Sequence, residues 1–285
     1  PEIPVPVIWD AVDCISQLYE LGATYGATRM LRIIGPYEAR RVRHFEQQQL
    51  QRFRHVLVTS ERDRQALQAL SPTGDETTSK AEITVLPHGI DEEYYQPYEG
   101  PRQAETLVFS GKMSFHANIA GVLHFTEHIL PLIWRQRPQV RLLIAGSNPP
   151  STIQRLARDP RIEVTGYLPD LRPAIAHSQI AISPLPYAVG IQNKVLEAMA
   201  LGTPVVATSS AVAGLRSSED LNEFVADEPA DFAALVLRLL DDPTFWQRRA
   251  EWGKRYIRTH HSWSQILSEL LNVYERALYS YQALR

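Results

Sequence analysis

Lys194 and Glu197 stand one helical turn apart in Ile191-Gln192-Asn193-Lys194-Val195-Leu196-Glu197-Ala198-Met199-Ala200, which runs on into Leu201-Gly202-Thr203-Pro204-Val205-Val206-Ala207. The stretch reads as a polar turn, a short helix, a glycine stop and a buried strand. A helix that begins at Asn193 turns its unpaired first-turn amides and its positive dipole end toward the preceding loop. Lys194 adds a full charge there, and the combination suits an anion, above all a phosphate. One turn on, Glu197 offers a carboxylate that can accept hydrogen bonds from sugar hydroxyls. The same residues also fit an ordinary amphipathic helix, with Lys194 and Glu197 as a solvated pair. Gly202 ends the helix and Pro204 keeps it from continuing. Val205-Val206-Ala207 has the unbroken apolar character of a parallel strand covered on both faces.

A helix start of this kind has to be held at the end of a sheet, and the surrounding sequence supplies one. Residues 106–110, 141–145, 162–165, 179–183, 204–208 and 223–226 read as strands, with helical patterns at 118–135, 170–177 and 193–201. That alternation predicts an α/β fold with a Rossmann-like, doubly wound parallel sheet. Helical patterns at 230–240, 244–259 and 262–281 close the chain; Ile266, Leu267, Leu270, Leu271, Val273 and Tyr274 share one face of the last. The first part is organised differently. It offers a strand at 5–9, an Arg- and Gln-rich helix at 37–54, a buried strand at 56–60 and a helix at 61–70 capped by Ser60. A polar loop at 71–80, a strand at 83–86 and a linker at 94–103 follow. The expected division is a partial α/β domain at 1–95, a Rossmann-like domain at 96–262 and a C-terminal helix at 263–285.

In an open α/β sheet, ligands bind beyond the carboxyl ends of the strands. Four loops fall there. Gly111-Lys112-Met113-Ser114-Phe115-His116-Ala117-Asn118 follows the first strand of the second part; Gly111 permits close backbone approach and Asn118 is a natural N-cap. Lys112 and His116 read either as ligand contacts or as surface side chains. Gly146 follows the next strand and avoids a clash with a ligand. Tyr167 and Leu168 follow the third, Tyr167 as a stacking surface or a half-buried aromatic. Pro184-Leu185-Pro186-Tyr187-Ala188-Val189-Gly190 leads into the Lys194 helix as a stiff turn.

Gly190 to Ala198 resembles the Gly-Ile-x-Asn-Lys-x-Leu-Glu-Ala form of the donor signature of retaining, nucleotide-sugar-dependent glycosyltransferases of the family-4 type, which have GT-B architecture. In many members the pattern is Glu, seven residues, Glu, then Ala-Met-Ala-x-Gly-x-Pro-Val-Val. Glu197 matches the second glutamate, and Val189 occupies the place of the first. Val58-Thr59-Ser60-Glu61 resembles the last strand of the acceptor-side domain, and Val85-Leu86-Pro87-His88-Gly89-Ile90-Asp91 the interdomain element. The resemblance implies a GT-B-like fold whose N-terminal α/β domain is incomplete, and a final helix crossing back toward it. It also implies a nucleotide diphosphate sugar donor (UDP-, GDP- or ADP-sugar), an acceptor of unknown identity and transfer of a hexose-like sugar with retention, the leaving phosphate helping to deprotonate the acceptor. Lys194, Glu197 and Lys112 would act on the leaving diphosphate and the ribose. Gly111, His116, Asn118, Gly146, Tyr167, Leu168, Tyr187, Gly190, Ile191, Gln192, Asn193 and Val195 would line the donor. A noncatalytic nucleotide-sugar-binding module, a partner-dependent subunit and a GT-B sugar-nucleotide epimerase share these features and stay open. A product such as an exopolysaccharide fits the family.

Composition narrows the classes further. The chain of 285 residues is 44% apolar, enough for a substantial core. Its net charge of -3 speaks against nonspecific nucleic-acid binding. Cys14 is the single cysteine, which excludes an internal disulfide and fits a reducing cytoplasm. No apolar run reaches the roughly 18 residues of a membrane span, and Pro1-Glu2-Ile3-Pro4 has no signal-peptide pattern; the missing initiator methionine suggests a fragment or mature chain. No cofactor is expected, and no metal, since no Asp-x-Asp motif flanks the pocket loops. No Gly-x-Gly-x-x-Gly follows a strand, which disfavours a dehydrogenase. His124-Phe125-Thr126-Glu127-His128 spells an inverted zinc-peptidase motif, but Val122, Phe125 and Ile129 form the apolar side of that helix and leave the histidines on the solvated stripe. Arg40-Arg41-Val42-Arg43-His44, with Arg52 and Arg54, fits a solvated helix face, or peripheral contact with anionic lipid or a phosphorylated acceptor.

Overall fold

The computed structural model describes residues 5–26, 29–71 and 81–283, and in it two parallel sheets meet through segments that follow the carboxyl ends of their strands, Asp13 and Asp63 of one reaching Gly190 of the other. The smaller sheet is built from β1 (Ile8–Val12), β2 (His55–Val58) and β3 (Glu82–Val85), paired in parallel in the order β1-β2-β3. Between β1 and β2 runs a hairpin of α1 (Ile15–Tyr25) and α2 (Arg29–Arg52), and α3 (Glu61–Leu70) joins β2 to β3. Val56, Val58, Leu67, Ile83 and Leu50 form its core with Cys14.

The larger sheet follows the expected alternation: β4 (Gln103–Ser110), β5 (Arg141–Ala145), β6 (Ile162–Gly166), β7 (Ser178–Ser183) and β8 (Val205–Ala207), all parallel, in the order β6-β5-β4-β7-β8. The helix after β4 is α4 (His116–His124), a π turn at Phe125–Ile129 and α5 (Leu130–Gln136); α6 (Ser151–Gln154), α7 (Arg172–His177), α8 (Asn193–Ala200) and α9 (Ser209–Val212) make the later connections. Leu107, Phe109, Ile144, Ile180 and Val206 are buried in the middle of the strands, as a sheet covered on both faces requires. Helices α10 (Pro229–Asp241), α11 (Pro243–His260) and α12 (Trp263–Gln282) complete the chain. Helix α12 returns to the smaller sheet: Ser262 bridges Ile90, and Arg276 pairs with Glu82 at 3.5 Å.

Several local expectations are corrected. The first strand lies at Ile8–Val12 rather than 5–9, its end bent by a bulge and a positive φ of 65° at Val12. Helix α1 carried no helical signal, because Ser16, Gly22 and Thr24 lower its propensity. It is held instead by Glu46 of α2, whose Oε1 accepts from the amides of Ile15 at 2.8 Å and Ser16 at 3.2 Å. Helix α2 begins at Arg29 and carries Pro36 inside it, where the sequence reading starts only after the proline. Residues 219–224 form a 3-10 turn, and only Val225 bridges Ala207, so no strand runs over 223–226. Ser60 caps α3 as expected, accepting from the Asp63 amide at 3.1 Å. Residues 72–80 of the expected polar loop lie outside the described residues. On α12, Ile266 and Val273 are buried while Leu267 and Leu271 are half exposed, so the predicted apolar face is divided.

Candidate functional site

Strand order in the larger sheet reverses between β4 and β7, so the loops leaving their carboxyl ends diverge and open a crevice. Gly111 follows β4 and Gly146 follows β5, each with φ of 147°. A Cβ at Gly146 would lie 1.8 Å from the Gly111 carbonyl oxygen, so the two loops meet backbone to backbone. The amide of Met113 donates to the Ser147 carbonyl at 2.8 Å and fixes that meeting.

Lys194 enters from the first turn of α8. Its ammonium donates to Asn118 Oδ1 and sits 4.5 Å from the centre of the Phe109 ring. Asn118 Nδ2 in turn donates to the Lys112 carbonyl at 2.9 Å. Asn118 is therefore not an N-cap: α4 begins two residues earlier, after Phe115, and the amide side chain joins the β4 loop to the lysine. Burial pulls the Lys194 pKa down to about 7, against the attraction of Glu197. The Glu197 carboxyl is pushed up, first by burial, and its Oε1 accepts from the Tyr95 hydroxyl at 3.1 Å. The Lys112 side chain points to solvent and only its carbonyl belongs to this cluster.

The remaining expected residues divide between lining and support. His116 Nδ1 and the Tyr187 hydroxyl lie 2.7 Å apart, and their rings stack at 5.6 Å. Tyr187 is 1% exposed, beneath Ala117 and Ala120, so it positions His116 and offers a ligand no surface. Ile191 and Val195 are likewise buried side chains, and the Val195 amide donates to the Gln192 carbonyl at 2.9 Å, which removes it from the expected set of ligand donors. Gln192 Nε2 donates to the Val189 carbonyl at 3.1 Å, which stiffens the turn. Asn193 Oδ1 lies 2.9 Å from His88 Nδ1 of the smaller layer. Tyr167 is 74% exposed at the end of β6, and Leu168 packs against the core beside it.

Three residues join the site that nothing in the sequence singled out. Tyr95 sits in the stretch read as a linker. Asp63 is fully buried and gathers the Cys14 amide at 2.9 Å, the Ser60 hydroxyl and the Gly190 amide at 3.1 Å. Asp13, just past β1, accepts from Thr59 Oγ1 at 3.0 Å, and its Oδ1 would stand 1.9 Å from a Cβ at Gly190. Gly190 is thus required twice, by its φ of 61° and by the carboxylate against it. Burial and the neighbouring Asp63 raise the Asp13 pKa, and Thr59 and His88 oppose them. Asp13 was open to discovery, because it follows a strand's carboxyl end; the reach of Asp63 to Gly190 across the cleft has no local signature.

Two other features fall outside this cluster. Among the described residues, no group of three His, Cys, Asp or Glu side chains is placed to hold a metal ion. A cavity of about 530 Å³ lined by Tyr98, Arg102, Gln179, Trp246 and Lys254 opens at the amino ends of the strands, away from the crevice. The Arg102 guanidinium there is consumed by the carbonyls of Ala176, Ser178, Leu201 and Gly202, which marks it as structural.

Residues 104–242 match the family model described as glycosyl transferases group 1. An MMP alpha-(1->4)-mannosyltransferase of Mycolicibacterium hassiacum is 26% identical over 212 residues, covering 72% of this chain and 51% of that protein. The chain spans about half the length of the curated relatives it matches. Among solved structures, WaaG, a glycosyltransferase involved in lipopolysaccharide biosynthesis, superposes with a TM-score of 0.68 at 15% identity, over 93% of this chain and 75% of WaaG. Anabaena Alr3699/HepE in complex with UDP gives a TM-score of 0.66 at 15% identity, over 92% of this chain and 82% of its own. No described helix is long and apolar enough to cross a membrane. Two parallel sheets meeting at their carboxyl ends give the chain a GT-B-like α/β fold, and its residues 104–242 are similar to the glycosyl transferases group 1 family.

Proposed function

We propose that this chain carries the donor site of a retaining glycosyltransferase that uses a nucleotide diphosphate sugar. Residues 96–262 would bind the donor, and residues 1–95 would supply part of the acceptor side. The observation that carries this reading is the convergence of Lys194, Asn118 and the Gly111 loop at the switch point of the larger sheet. A cation, a helix start and close-lying backbone at one point form an anion site, and the charge that grows on a leaving diphosphate is what such a site stabilises. Glu197, oriented by Tyr95, stands one turn further along α8 and would accept from the ribose hydroxyls. Tyr167 would flank the base. Asp13 approaches from the other layer at the Gly190 turn, where it would orient the transferred sugar or the acceptor hydroxyl. The UDP held by HepE supports the donor class.

Calorimetric titration of the chain with UDP, GDP and ADP tests this. One nucleotide is expected to bind, and Lys194→Ala to weaken it by about 1.5–3 kcal/mol, as for a hydrogen bond to a charged group. Glu197→Gln should weaken the nucleotide and leave pyrophosphate binding nearly unchanged. Failure of all three nucleotides to bind, or unchanged affinity in Lys194→Ala, removes the assignment.

A further inference from the structure

Asp63 lies in the first turn of α3 with none of its surface exposed. Its Oδ1 accepts from the Cys14 amide at 2.9 Å, and its Oδ2 from the Ser60 hydroxyl and from the Gly190 amide at 3.1 Å. Carboxyl oxygens taken out of water are kept only where donors reach them, so this group fixes the places of those donors. Cys14 and Ser60 belong to the smaller layer. Gly190 lies 127 residues further along the chain, in the turn that leads into α8.

The Gly190 turn has little room of its own. On its carbonyl side, a Cβ at Gly214 would stand 2.1 Å from the Gly190 oxygen, so backbone closes on the turn there. On its Cα side stands Asp13 Oδ1, 1.9 Å from the place of a Cβ. Cys14, next to Asp13, is held by Asp63 itself. One carboxyl group thus fixes both the turn and the backbone beside the side chain pressed against it. Beyond the turn, Gln192 Nε2 donates to the Val189 carbonyl, and the Gln192 carbonyl accepts from the Val195 amide. A shift at Gly190 is therefore carried into the first turn of α8, where Lys194 stands.

We propose, on the donor reading of the crevice, that Asp63 is a positioning residue: it sets the Gly190 turn from the smaller layer and so places the start of α8 that holds the diphosphate. Asp63 touches no ligand in this role. Without it, the turn and the helix start would drift from the Gly111 loop, which forms the other side of the anion site, and the converging groups would lose their geometry. The Cys14 and Ser60 bonds would suffice for a brace within the smaller layer. The Gly190 bond is what reaches beyond that layer.

The test is calorimetric titration with UDP, GDP and ADP of the 285-residue chain, of Asp63→Ala and Gly190→Ala, and of each combined with Lys194→Ala. Circular dichroism and denaturant unfolding report the folding of every variant. Asp63→Ala leaves the Gly190 amide without its acceptor, and Gly190→Ala drives the turn off Asp13 and Asp63 from the larger layer. Each is expected to weaken the nucleotide that the wild type binds by about tenfold. Where Lys194 is already alanine the loss should shrink to under about threefold, because residues that act through one another are not additive. Folded variants with wild-type affinity would make Asp63 a brace of the smaller layer and overturn the proposal, as would full additivity with Lys194→Ala. If Asp63→Ala does not fold, Gly190→Ala decides by the same two criteria. A wild type that binds a nucleotide and loses it in Lys194→Ala keeps the donor reading whatever Asp63→Ala does; a wild type that binds none of the three removes both.

Discussion

At the scale of single residues, the crevice depends on a lysine held near its titration point. With a pKa of about 7, Lys194 is charged in only part of the empty molecules at neutral pH. Under the proposed donor reading, a bound diphosphate would favour the ammonium and raise that pKa, so binding would take up a proton above neutrality. Nucleotide affinity should therefore fall as pH rises from about 7 to about 9, by at most about tenfold per pH unit. Titration in buffers of different ionisation enthalpy would register the proton uptake, and pH-independent affinity would show that Lys194 stays clear of the diphosphate. The lysine and the glutamate were legible because their spacing and the following Gly202 and Pro204 are local. The partners Asn118, Phe109 and Tyr95 come from three other segments, and no spacing rule connects them to α8.

At the scale of elements, the loops after β4 and β5 are held in register by glycine. Gly146→Ala would place a methyl group 1.8 Å from the Gly111 carbonyl, at a φ of 147°. Gly166→Ala shares a positive φ, 69°, but meets nothing within 4 Å. The first substitution should cost several-fold more stability than the second, about 3 kcal/mol or more against about 1 kcal/mol. Denaturant unfolding of the two variants compares them, and equal costs would show that backbone strain alone matters at both sites. The strands of the larger sheet were readable because β4, β5, β7 and β8 each contain an apolar run and β6 alternates apolar and polar residues, all between turn signals. Helix α1 was not, since Glu46 caps it from another helix, and the start of α2 was hidden by Pro36.

At the scale of the whole molecule, His261 joins the two layers. It is fully buried at the end of α11, its Nδ1 donates to the His88 carbonyl at 2.8 Å, and its own carbonyl accepts from the Ile90 amide at 2.7 Å. Nε2 has no partner among the described residues, so protonation would bury an unpaired N–H. Burial pulls its pKa down from 6.5 to about 4. Between those values the unfolded chain binds a proton that the folded chain excludes, so stability falls as pH drops through that window and is unaffected above it. At about pH 5 the loss from this residue is about 2 kcal/mol. Wild type should thus lose about that much more than His261→Asn between about pH 7 and pH 5, measured by denaturant midpoints; parallel profiles would assign the acid sensitivity elsewhere.

The sequence alone determined the α/β alternation, the helix start at Asn193 and the Lys194–Glu197 pair, because periodicity, capping and turn chemistry act between near neighbours. Tertiary structure decided which residues face the crevice. Tyr187, Ile191 and Val195 turned inward because the loop before α8 and the first turn of α8 pack on α4 and the sheet core. Asp13 and Asp63 reached Gly190 because two sheets meet at their strand ends, a placement set by long-range burial and written in no single segment.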